Sequence, residues 1–344
     1  LSMIDFNVRA ERMGWLPSAP QLNANPLKLA AEAGKEGADV SKYITDKLRS
    51  GDITIASEDP DNPDNFPRNL FVWRSNLLGS SAKGMEYFMK HLLGAQNSVL
   101  GDDLKSMGQQ LPAEVKWHDR APEGKLDLLV TLDYRMSTTT LHSDIILPAA
   151  TWYEKSDLST SDMHPFIHPF TKAVDPLWES RSDWEIFRGI AARFSELSKG
   201  HLGKEKDIVL LPLLHDSPAE MSETVDGRDW KQTGKELRPG KNCPRIVEVI
   251  RDYPETYNRF TTLGPLMEKA GNGGKGISWE TGAEVEFLRK LNTTSDNAGE
   301  TNGLVRIETD IQAAEVILTL APETNGHVAV RAWGALSATT GRKH

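Results

Sequence analysis

Two histidines four residues apart, His164 and His168, have a spacing that could serve a metal ion. On a helix, residues i and i+4 share one face, and two such imidazoles can ligate zinc. Here Pro165 and Pro169 directly follow the histidines, and proline disfavours a helix and pushes the preceding residue into an extended conformation. In an extended segment the two imidazoles would lie roughly 13 Å apart. The sequence therefore predicts an ordered, hydrogen-bonded loop and no shared metal.

Two other motifs lack the residues that their chemistry requires. The stretch "GNGGKG", residues 271–276, has no Ser or Thr after its lysine and no strand before it, so it is predicted to be a flexible surface turn and not a phosphate loop. Ser80 and Ser81 suggest a serine hydrolase, but the chain has no Gly-x-Ser-x-Gly elbow.

A donor-rich turn is a stronger candidate for a ligand site. It follows the apolar run "LFVWR", Leu70 to Arg74, which is predicted to be a buried strand, and it precedes apolar residues at helical spacing from Met85 to Leu92. Backbone N–H groups at a helix N-terminus, together with a guanidinium, suit a phosphate or an electron-rich heterocycle. The candidate residues of this turn are Arg74, Ser75, Asn76, Gly79, Ser80 and Ser81.

The elements that would position this turn form an α/β pattern. Strands are predicted for "KLDLLVTLD", which ends at Asp133, and for "DIILPAA", which stops at Pro148. A helix is predicted for "SDWEIFRGIAARFSEL", with Ser182 or Asp183 as its N-cap. The alternation predicts a mostly parallel sheet flanked by helices, with ligands outside the carboxyl ends of the strands. The apolar face of the helix would comprise Trp184, Phe187, Ile190, Ala191, Phe194 and Leu197.

The α/β pattern weakens after about residue 200. We therefore divide the chain into an α/β segment, residues 1–200, and a mixed helical and loop segment, residues 201–344. Helices are predicted for "GAEVEFLRKL" and "DIQAAEVILTL", and a broken helix for the stretch from Leu27 that contains Gly34 and Gly37. An acidic, proline-rich surface loop is expected from Ser57.

Composition excludes several classes of function. With 40 basic and 49 acidic residues the net charge is −9, which disfavours a nucleic-acid partner or an anionic membrane surface. Hydrophobic residues are 38% and charged residues 26%, as in soluble globular proteins, and no apolar run approaches the roughly 20 residues of a membrane helix. The single cysteine, Cys243, allows neither an internal disulfide nor an iron–sulfur cluster, so we expect it to be buried and inert.

Three stretches together resemble a known family: "RNLFVWRSNLLGSSAKG", "LDLLVTLDYRMSTTTLHSDIILPAATWYEKSDLSTSDMHPFIHPF" and "AVDPLWESRSDWEIFRGIAARFSE". They are similar to the catalytic α subunit of membrane-bound respiratory nitrate reductases, which are molybdenum-bis(molybdopterin guanine dinucleotide) enzymes. The resemblance implies an internal segment, the middle portion of the cofactor cradle of a much longer molybdopterin oxidoreductase subunit. It implies that the [4Fe-4S] cluster and the molybdenum ligand of the full subunit are held outside this segment.

The resemblance also assigns roles to the donor-rich turn. Arg74 and Ser80 match an arginine and a serine near the pyranopterins, and Ser75, Asn76 and Gly79 lie in the same turn. Many wider relatives have a Gly-x-Asn-Pro turn where this chain has "RSNLLGSS", a difference that the nitrate reductase group shares.

The resemblance also assigns four further positions as contacts of the nucleotide part of the cofactor. Leu132 and Asp133 match the strand-end pair that meets guanine, and a carboxylate can accept both N1–H and the exocyclic amine of that base. Lys155 matches a lysine that could pair with a phosphate. Asp183 matches a nucleotide-contacting aspartate, with a role as N-cap alone as the alternative.

The implied function is reduction of nitrate to nitrite, with electrons from quinol arriving through haem and iron–sulfur centres. The implied partners are an iron–sulfur β subunit and a haem-containing membrane γ subunit, at the cytoplasmic face of the membrane. The isolated segment is expected to be catalytically inactive. The alternatives are a related nitrite oxidoreductase, a stand-alone nucleotide-binding module, and an interaction segment that docks partners through residues 200–344.

Overall fold

The computed structural model describes residues 22–54, 62–80, 85, 88–95, 124–161, 164–211, 245–274 and 277–344. Cys243, Ser81 and residues 57–61, the first part of the acidic loop, lie outside these ranges, so the expectations for them stay predictions.

The bounds of the elements follow in chain order. Among the described residues the α-helices are α1 (Pro26–Lys35), α2 (Val40–Ser50), α3 (Leu77–Ser80), α4 (Thr138–Leu141), α5 (Asp183–Ser198), α6 (Thr256–Phe260), α7 (Leu266–Lys269), α8 (Gly282–Asn292), α9 (Asp310–Leu320) and α10 (Gly326–Thr340). The strands are β1 (Arg68–Trp73), β2 (Leu126–Asp133), β3 (Ile145–Pro148), β4 (Asp157–Ser161), β5 (His164–Phe170), β6 (Lys204–Leu211), β7 (Arg245–Asp252), β8 (Asn272–Gly274) and β9 (Ile277–Trp279). A 3-10 turn (Pro63–Asn65) and a π-helical turn (Phe88–Leu92) complete the list.

The chain forms two compact units made of interleaved segments. Unit 1 comprises residues 1–68, 89–127 and 203–252, and unit 2 comprises residues 69–88, 128–202 and 253–344. The chain passes from unit 2 to unit 1 at Gly203, close to the boundary expected near residue 200, but it returns to unit 2 at Tyr253. The assignment of residues 1–200 and 201–344 to two segments stays a prediction.

The core of unit 1 lies between α1, α2 and the antiparallel pair β6–β7. The predicted broken helix is confirmed: Asn25 caps α1 by accepting from Leu27 N at 2.9 Å, and Asp39 starts α2 by accepting from Lys42 N at 2.8 Å. The strands β6 and β7 were missed by sequence analysis, although Ile208 and Leu210 are buried at alternate positions, with half-buried Val209 between them. The buried cluster comprises Leu29, Ala30, Ile44, Leu48, Ile53, Ile208, Leu210 and Ile246.

The candidate site is built on a three-stranded sheet of order β1-β2-β3. Arg68 N donates to Lys125 O at one end of β1, and Arg74 N donates to Leu132 O at the other, so β1 runs parallel to β2. β3 is also parallel to β2, with Asp133 opposite Pro148. The predicted α/β fold with a parallel sheet flanked by helices is thus confirmed, and the described residues add three two-stranded antiparallel pairs.

The prediction that β1 is a buried strand is wrong. Only Val72 is buried along it, while the side chains of Phe71 and Trp73 are half exposed. Among the described strands, β1 lies at the edge of the sheet, and its successive side chains point to opposite faces, so that Val72 is buried while Phe71 and Trp73 on the other face are half exposed.

The helix α5 begins where the sequence predicted, with Ser182 as its N-cap. Ser182 Oγ accepts from Glu185 N at 3.2 Å, and the Glu185 carboxylate accepts from Ser182 N at 3.0 Å, which is a capping box. The alternative of Asp183 as the cap is wrong, because Asp183 is the first helical residue and its carboxylate has other partners.

The predicted apolar face of α5 is only partly correct. Ala191 is buried, but Phe194 and Leu197 are exposed. Ser195 is buried in their place, since its hydroxyl accepts from Tyr257 N at 2.7 Å and lets the chain at α6 approach closely. The buried positions of the helix are Asp183, Ile186, Ala191, Ser195 and Ser198.

The remaining elements of unit 2 confirm the predicted helices and correct two loops. α8 and α9 enclose a second core of Val285, Leu288, Val305, Ile307, Val316 and Leu320. The "GNGGKG" stretch contributes the short strand β8, which pairs with β9, while Lys275 and Gly276 lie outside the described residues. His164 and His168 lie on β5, so they are extended as predicted, but in a strand paired with β4 and not in a loop. Within the described ranges, no helix has the length and apolar character needed to span a membrane.

Replacing Ser182 by alanine should lower the free energy of unfolding by about 1 kcal/mol, because α5 loses its N-cap acceptor. Denaturant unfolding followed by circular dichroism measures the change. Ser159→Ala, at an exposed position of β4, is the control and should change the free energy by less than about 0.5 kcal/mol. Equal effects of the two substitutions would contradict the capping role.

Candidate functional site

The carboxyl ends of β1 and β2 lie side by side and each ends in a charged residue. Arg74 directly follows β1, and Asp133 is the last residue of β2. The backbone N–H of Arg74 donates to Leu132 O at 2.9 Å, which ties the two strand ends together. The sequence predicted this edge as the place of a ligand site.

A buried carboxylate organises the charged side chains at this edge. Asp183 Oδ1 accepts from Trp73 Nε1 at 2.7 Å and from Arg74 Nε at 3.1 Å. Its Oδ2 accepts from Lys155 Nζ at 2.5 Å and also from Arg74 Nη2. Two carboxylate oxygens offer about four acceptor positions, so the four donors saturate Asp183.

The ammonium of Lys155 is shut off from solvent. Its side chain is 2% exposed, and Nζ contacts Asp183 and, at 2.8 Å, Asp157 Oδ2. Asp157 also lies 3.6 Å from Arg74 Nη2, and 40% of its side chain is exposed. Burying an ammonium is unfavourable unless it is paired and hydrogen-bonded, so the two carboxylates are what make this position tolerable for lysine.

Arg74 has a backbone conformation that is unusual for a residue with a side chain. Its φ of 53° lies in the left-handed region, where a non-glycine residue costs on the order of 1 kcal/mol or more. The bidentate pair with Asp183 and the bond to Leu132 O hold it there. Within the described residues, Nη1 of Arg74 makes no hydrogen bond, so the N–H donors at this edge of the guanidinium have no acceptor.

Sequence reasoning missed two members of this site, Trp73 and Asp157. The indole of Trp73 packs edge-on against Phe187, with ring centroids 5.3 Å apart, and its Nε1 donates to Asp183. A tryptophan next to an arginine at a strand end gave no recognisable signal. Asp157, two residues after Lys155, could have been found as a neighbouring opposite charge.

The donor-rich turn after β1 is held by the side chain of Asn76. Its Oδ1 accepts from Gly79 N at 3.2 Å and from the backbone and hydroxyl of Thr139 at 3.2 and 3.1 Å. The Thr139 hydroxyl in turn accepts from Leu78 N at 3.1 Å. Asn76 therefore links the turn after β1 to the turn after β2, which brings both strand ends into one surface.

Gly79 lies where an added Cβ would crowd two side chains. A Cβ at this position would come within 2.4 Å of Asn76 Nδ2 and 2.7 Å of Thr138 Oγ1. Of the two serines, Ser80 Oγ donates to Asn76 O at 2.9 Å, and Ser75 is exposed. Of the predicted turn residues, Asn76, Gly79 and Ser80 are thus joined by bonds within the turn, while Arg74 bonds to Leu132 and Asp183, and Ser81 lies outside the described residues.

Asp133 bonds to the turn that follows it through one of its two carboxylate oxygens. Oδ1 accepts from Tyr134 N at 2.7 Å and from Arg135 N at 3.2 Å. In the part of the chain that the structure describes, Oδ2 makes no hydrogen bond. The side chain of Leu132, by contrast, is 0% exposed and belongs to the core with Val130.

The segment before Lys155 is fixed by Glu154. Its carboxylate accepts from Thr151 N at 2.9 Å and from the Thr151 hydroxyl at 3.1 Å. The hydrogen bond from the Thr151 backbone lowers the pKa of the Glu154 carboxyl below its ordinary value. Glu154 thus remains ionised and bonded at neutral pH, which orders the turn that carries Lys155.

These side chains suit a ligand that carries both phosphate charge and amide-like N–H donors. Arg74 and Lys155 are cations that Asp183 and Asp157 balance, and among the described residues one oxygen of Asp133 has no hydrogen-bond donor. Among the described residues, no group of three or more His, Cys, Asp and Glu side chains has an arrangement that could hold a metal ion.

Comparison with known proteins gives matches along almost the whole chain. A family model described as Molybdopterin oxidoreductase matches residues 11–193, and one described as Nitrate reductase alpha chain, domain V, matches residues 270–344. The first match contains every residue of the site described above.

Three curated relatives show the range of similarity. The chain is 62% identical over 342 residues to Respiratory nitrate reductase 2 alpha chain of Escherichia coli (strain K12), covering 99% of this chain and 27% of that one. It is 48% identical to Nitrate reductase alpha chain of Bacillus subtilis (strain 168), over 98% of this chain and 28% of the relative. It is 30% identical to Perchlorate reductase subunit alpha of Dechloromonas aromatica (strain RCB), over 67% of this chain and 20% of the relative. The chain thus spans about a quarter of the length of the nitrate reductase chains that it matches.

Replacing Gly79 by alanine should destabilise the turn by about 1–3 kcal/mol, because the added methyl group collides with Asn76 and Thr138. Gly189→Ala is the matched control, since a Cβ there meets nothing within 4 Å and alanine favours its helix. Thermal unfolding of both variants measures the difference. A Gly79 variant as stable as the control would contradict the crowding.

Proposed function

Because the chain belongs to the molybdopterin oxidoreductase family, we propose that it forms part of the cofactor cradle of a respiratory nitrate reductase α subunit. The whole subunit reduces nitrate to nitrite. Support comes from the identities of 62% and 48% to chains named nitrate reductase, against 30% to a chain named perchlorate reductase.

The proposed cofactor is molybdenum-bis(molybdopterin guanine dinucleotide). When bound, it supplies oxygen-atom transfer and accepts the electrons. The residues of this chain fit such a group, because its phosphates need cations and its guanine needs a carboxylate oxygen that can accept hydrogen bonds. Lys155 and Arg74 are the cations, and Asp133 Oδ2, which has no donor among the described residues, is the acceptor.

Each site residue then has a distinct task. Asp133 accepts from the guanine edge, and Leu132 anchors the strand end that holds it. Lys155 pairs with a phosphate, and Arg74 lies against the electron-rich pterin. The turn of Ser75, Asn76, Gly79 and Ser80 forms the adjoining wall.

Asp183 takes an organising role in this proposal. All of its acceptor positions are already engaged by Trp73, Arg74 and Lys155, so direct contact with a nucleotide requires one of these donors to leave. The carboxylate keeps the two cations at the positions where the ligand needs them.

The other parts of the parent enzyme follow from the same assignment. The electron donor is quinol, and a [4Fe-4S] cluster is held by parts of the subunit other than this segment. The partners are an iron–sulfur β subunit and a haem-containing membrane γ subunit, with the α subunit at the cytoplasmic face of the membrane. The alternative, a nitrite oxidoreductase, would catalyse the reverse reaction with the same nitrate/nitrite couple. The driving redox potential and the partner proteins set the direction.

The activity is tested on the complete subunit assembled with its partners. With reduced viologen as donor, it should reduce nitrate and contain molybdenum and guanine nucleotide. The 344-residue chain alone should neither reduce nitrate nor contain molybdenum and guanine nucleotide. Turnover of nitrate by the isolated chain, or a complete subunit without molybdenum, would overturn the proposal.

Asp133→Asn should weaken the binding of guanine nucleotide to the complete subunit by about 10- to 100-fold, because a charge-assisted acceptor contributes about 1.5–3 kcal/mol, so that less nucleotide is retained through purification. Nucleotide released from the purified complete subunit measures the change. Asp127→Asn is the control, since Asp127 lies on the same strand with 65% of its side chain exposed. Wild-type guanine content in the Asp133 variant would refute the assignment of this residue.

A further inference from the structure

The two carboxylates that neutralise Arg74 and Lys155 have unequal environments. The Asp183 side chain is 10% exposed, whereas that of Asp157 is 40% exposed. Asp183 is therefore part of the protein interior, and Asp157 lies at the boundary with solvent.

The two carboxylates are also held with different strength. Asp183 has four donors on its two oxygens, including the bidentate contact with Arg74. Asp157 Oδ2 has one donor within hydrogen-bond distance, Lys155 at 2.8 Å, and lies 3.6 Å from Arg74 Nη2. The other bond of Asp157 is local, from Leu158 N to Oδ1 at 2.8 Å. Little holds the Asp157 carboxylate in place apart from the ammonium.

The backbone around Lys155 does not depend on Asp157. Ser156 N donates to Asp310 Oδ2 at 3.2 Å, and Glu154 fixes the preceding turn through Thr151. The side chain of Asp157 can therefore rotate away from Lys155 while the lysine stays where it is.

Charge balance determines what an anion must do to bind here. The cluster contains two cations, Arg74 and Lys155, and two carboxylates, so it is neutral before a ligand arrives. A phosphate beside Asp157 would meet a like charge in a partly buried site, which is unfavourable. The favourable exchange replaces the Asp157 carboxylate by one phosphate group of the diphosphate, which carries a single negative charge in a dinucleotide, and so leaves the charge beside Arg74 and Lys155 unchanged.

We propose that Asp157 is a displaceable counter-ion that occupies the anion position of the site until a phosphate group of the ligand replaces it, while Asp183 stays bound to both cations. This inference rests on the proposed function, and it adds a residue that the cofactor assignment did not include. In the unloaded protein, Asp157 stabilises the buried ammonium of Lys155 and occupies the position that the phosphate takes when the ligand binds. The ligand class is a nucleoside diphosphate moiety.

The test measures binding of GDP to the complete subunit, prepared without molybdenum cofactor, by isothermal titration calorimetry. Asp157→Asn should bind GDP at least about tenfold more tightly than the wild type, because the competing charge is gone. Asp157→Ser should do the same, so a folding defect of one variant does not decide the result. Asp175→Asn is the control, because Asp175 pairs with Lys172 at 2.7 Å on the surface, and it should leave GDP affinity unchanged.

The outcomes separate the inference from the proposed function. If the wild type binds GDP and both Asp157 variants bind it equally or more weakly, displacement is wrong and the nucleotide site remains. If the wild type does not bind GDP, the inference is overturned. The guanine content of the cofactor-loaded subunit then decides whether the proposed function is wrong as well.

Discussion

The carboxylate of Asp183 is the interaction on which the candidate site depends. It lies at the first position of α5, is almost fully buried, and accepts hydrogen bonds from side chains of two other segments. Because an ammonium and a guanidinium share this one carboxylate, the end of β1, the turn before β4 and the start of α5 are held in one arrangement. Removing one partner of a buried pair leaves an uncompensated charge, which is why such groups occupy well-defined positions.

The parallel sheet explains why these groups meet. Three parallel strands bring their carboxyl ends to one edge, and the turns that follow β1 and β2 are joined through Asn76 and Thr139. The capping box of Ser182 and Glu185 sets the start of α5, so that Asp183 is free to point toward Arg74 instead of capping the helix. Local helix chemistry and the long-range ion pairs are therefore compatible and do not compete for the same side chain.

Sequence patterns predicted the strands and helices whose apolar period is regular, together with the edge of the sheet where the site lies. They failed where the period is interrupted by polar residues with a packing role. The buried Ser195 on α5 replaces exposed Phe194, because a small hydroxyl can accept from the chain at α6. Trp73 was also missed, since the bond from its indole to Asp183 joins residues 110 positions apart, and no local pattern encodes such a contact. The roles of individual residues came from the family resemblance, and the ion cluster that unites them became visible only in three dimensions.

The central claim is that Asp183 and Lys155 are coupled energetically and not merely adjacent. A double-mutant cycle with Asp183→Asn and Lys155→Met, read as the free energy of unfolding, measures that coupling directly. The account predicts a coupling free energy of about 2 kcal/mol, within the range for contacting residues. Additive effects, with a coupling below about 0.5 kcal/mol, would contradict it.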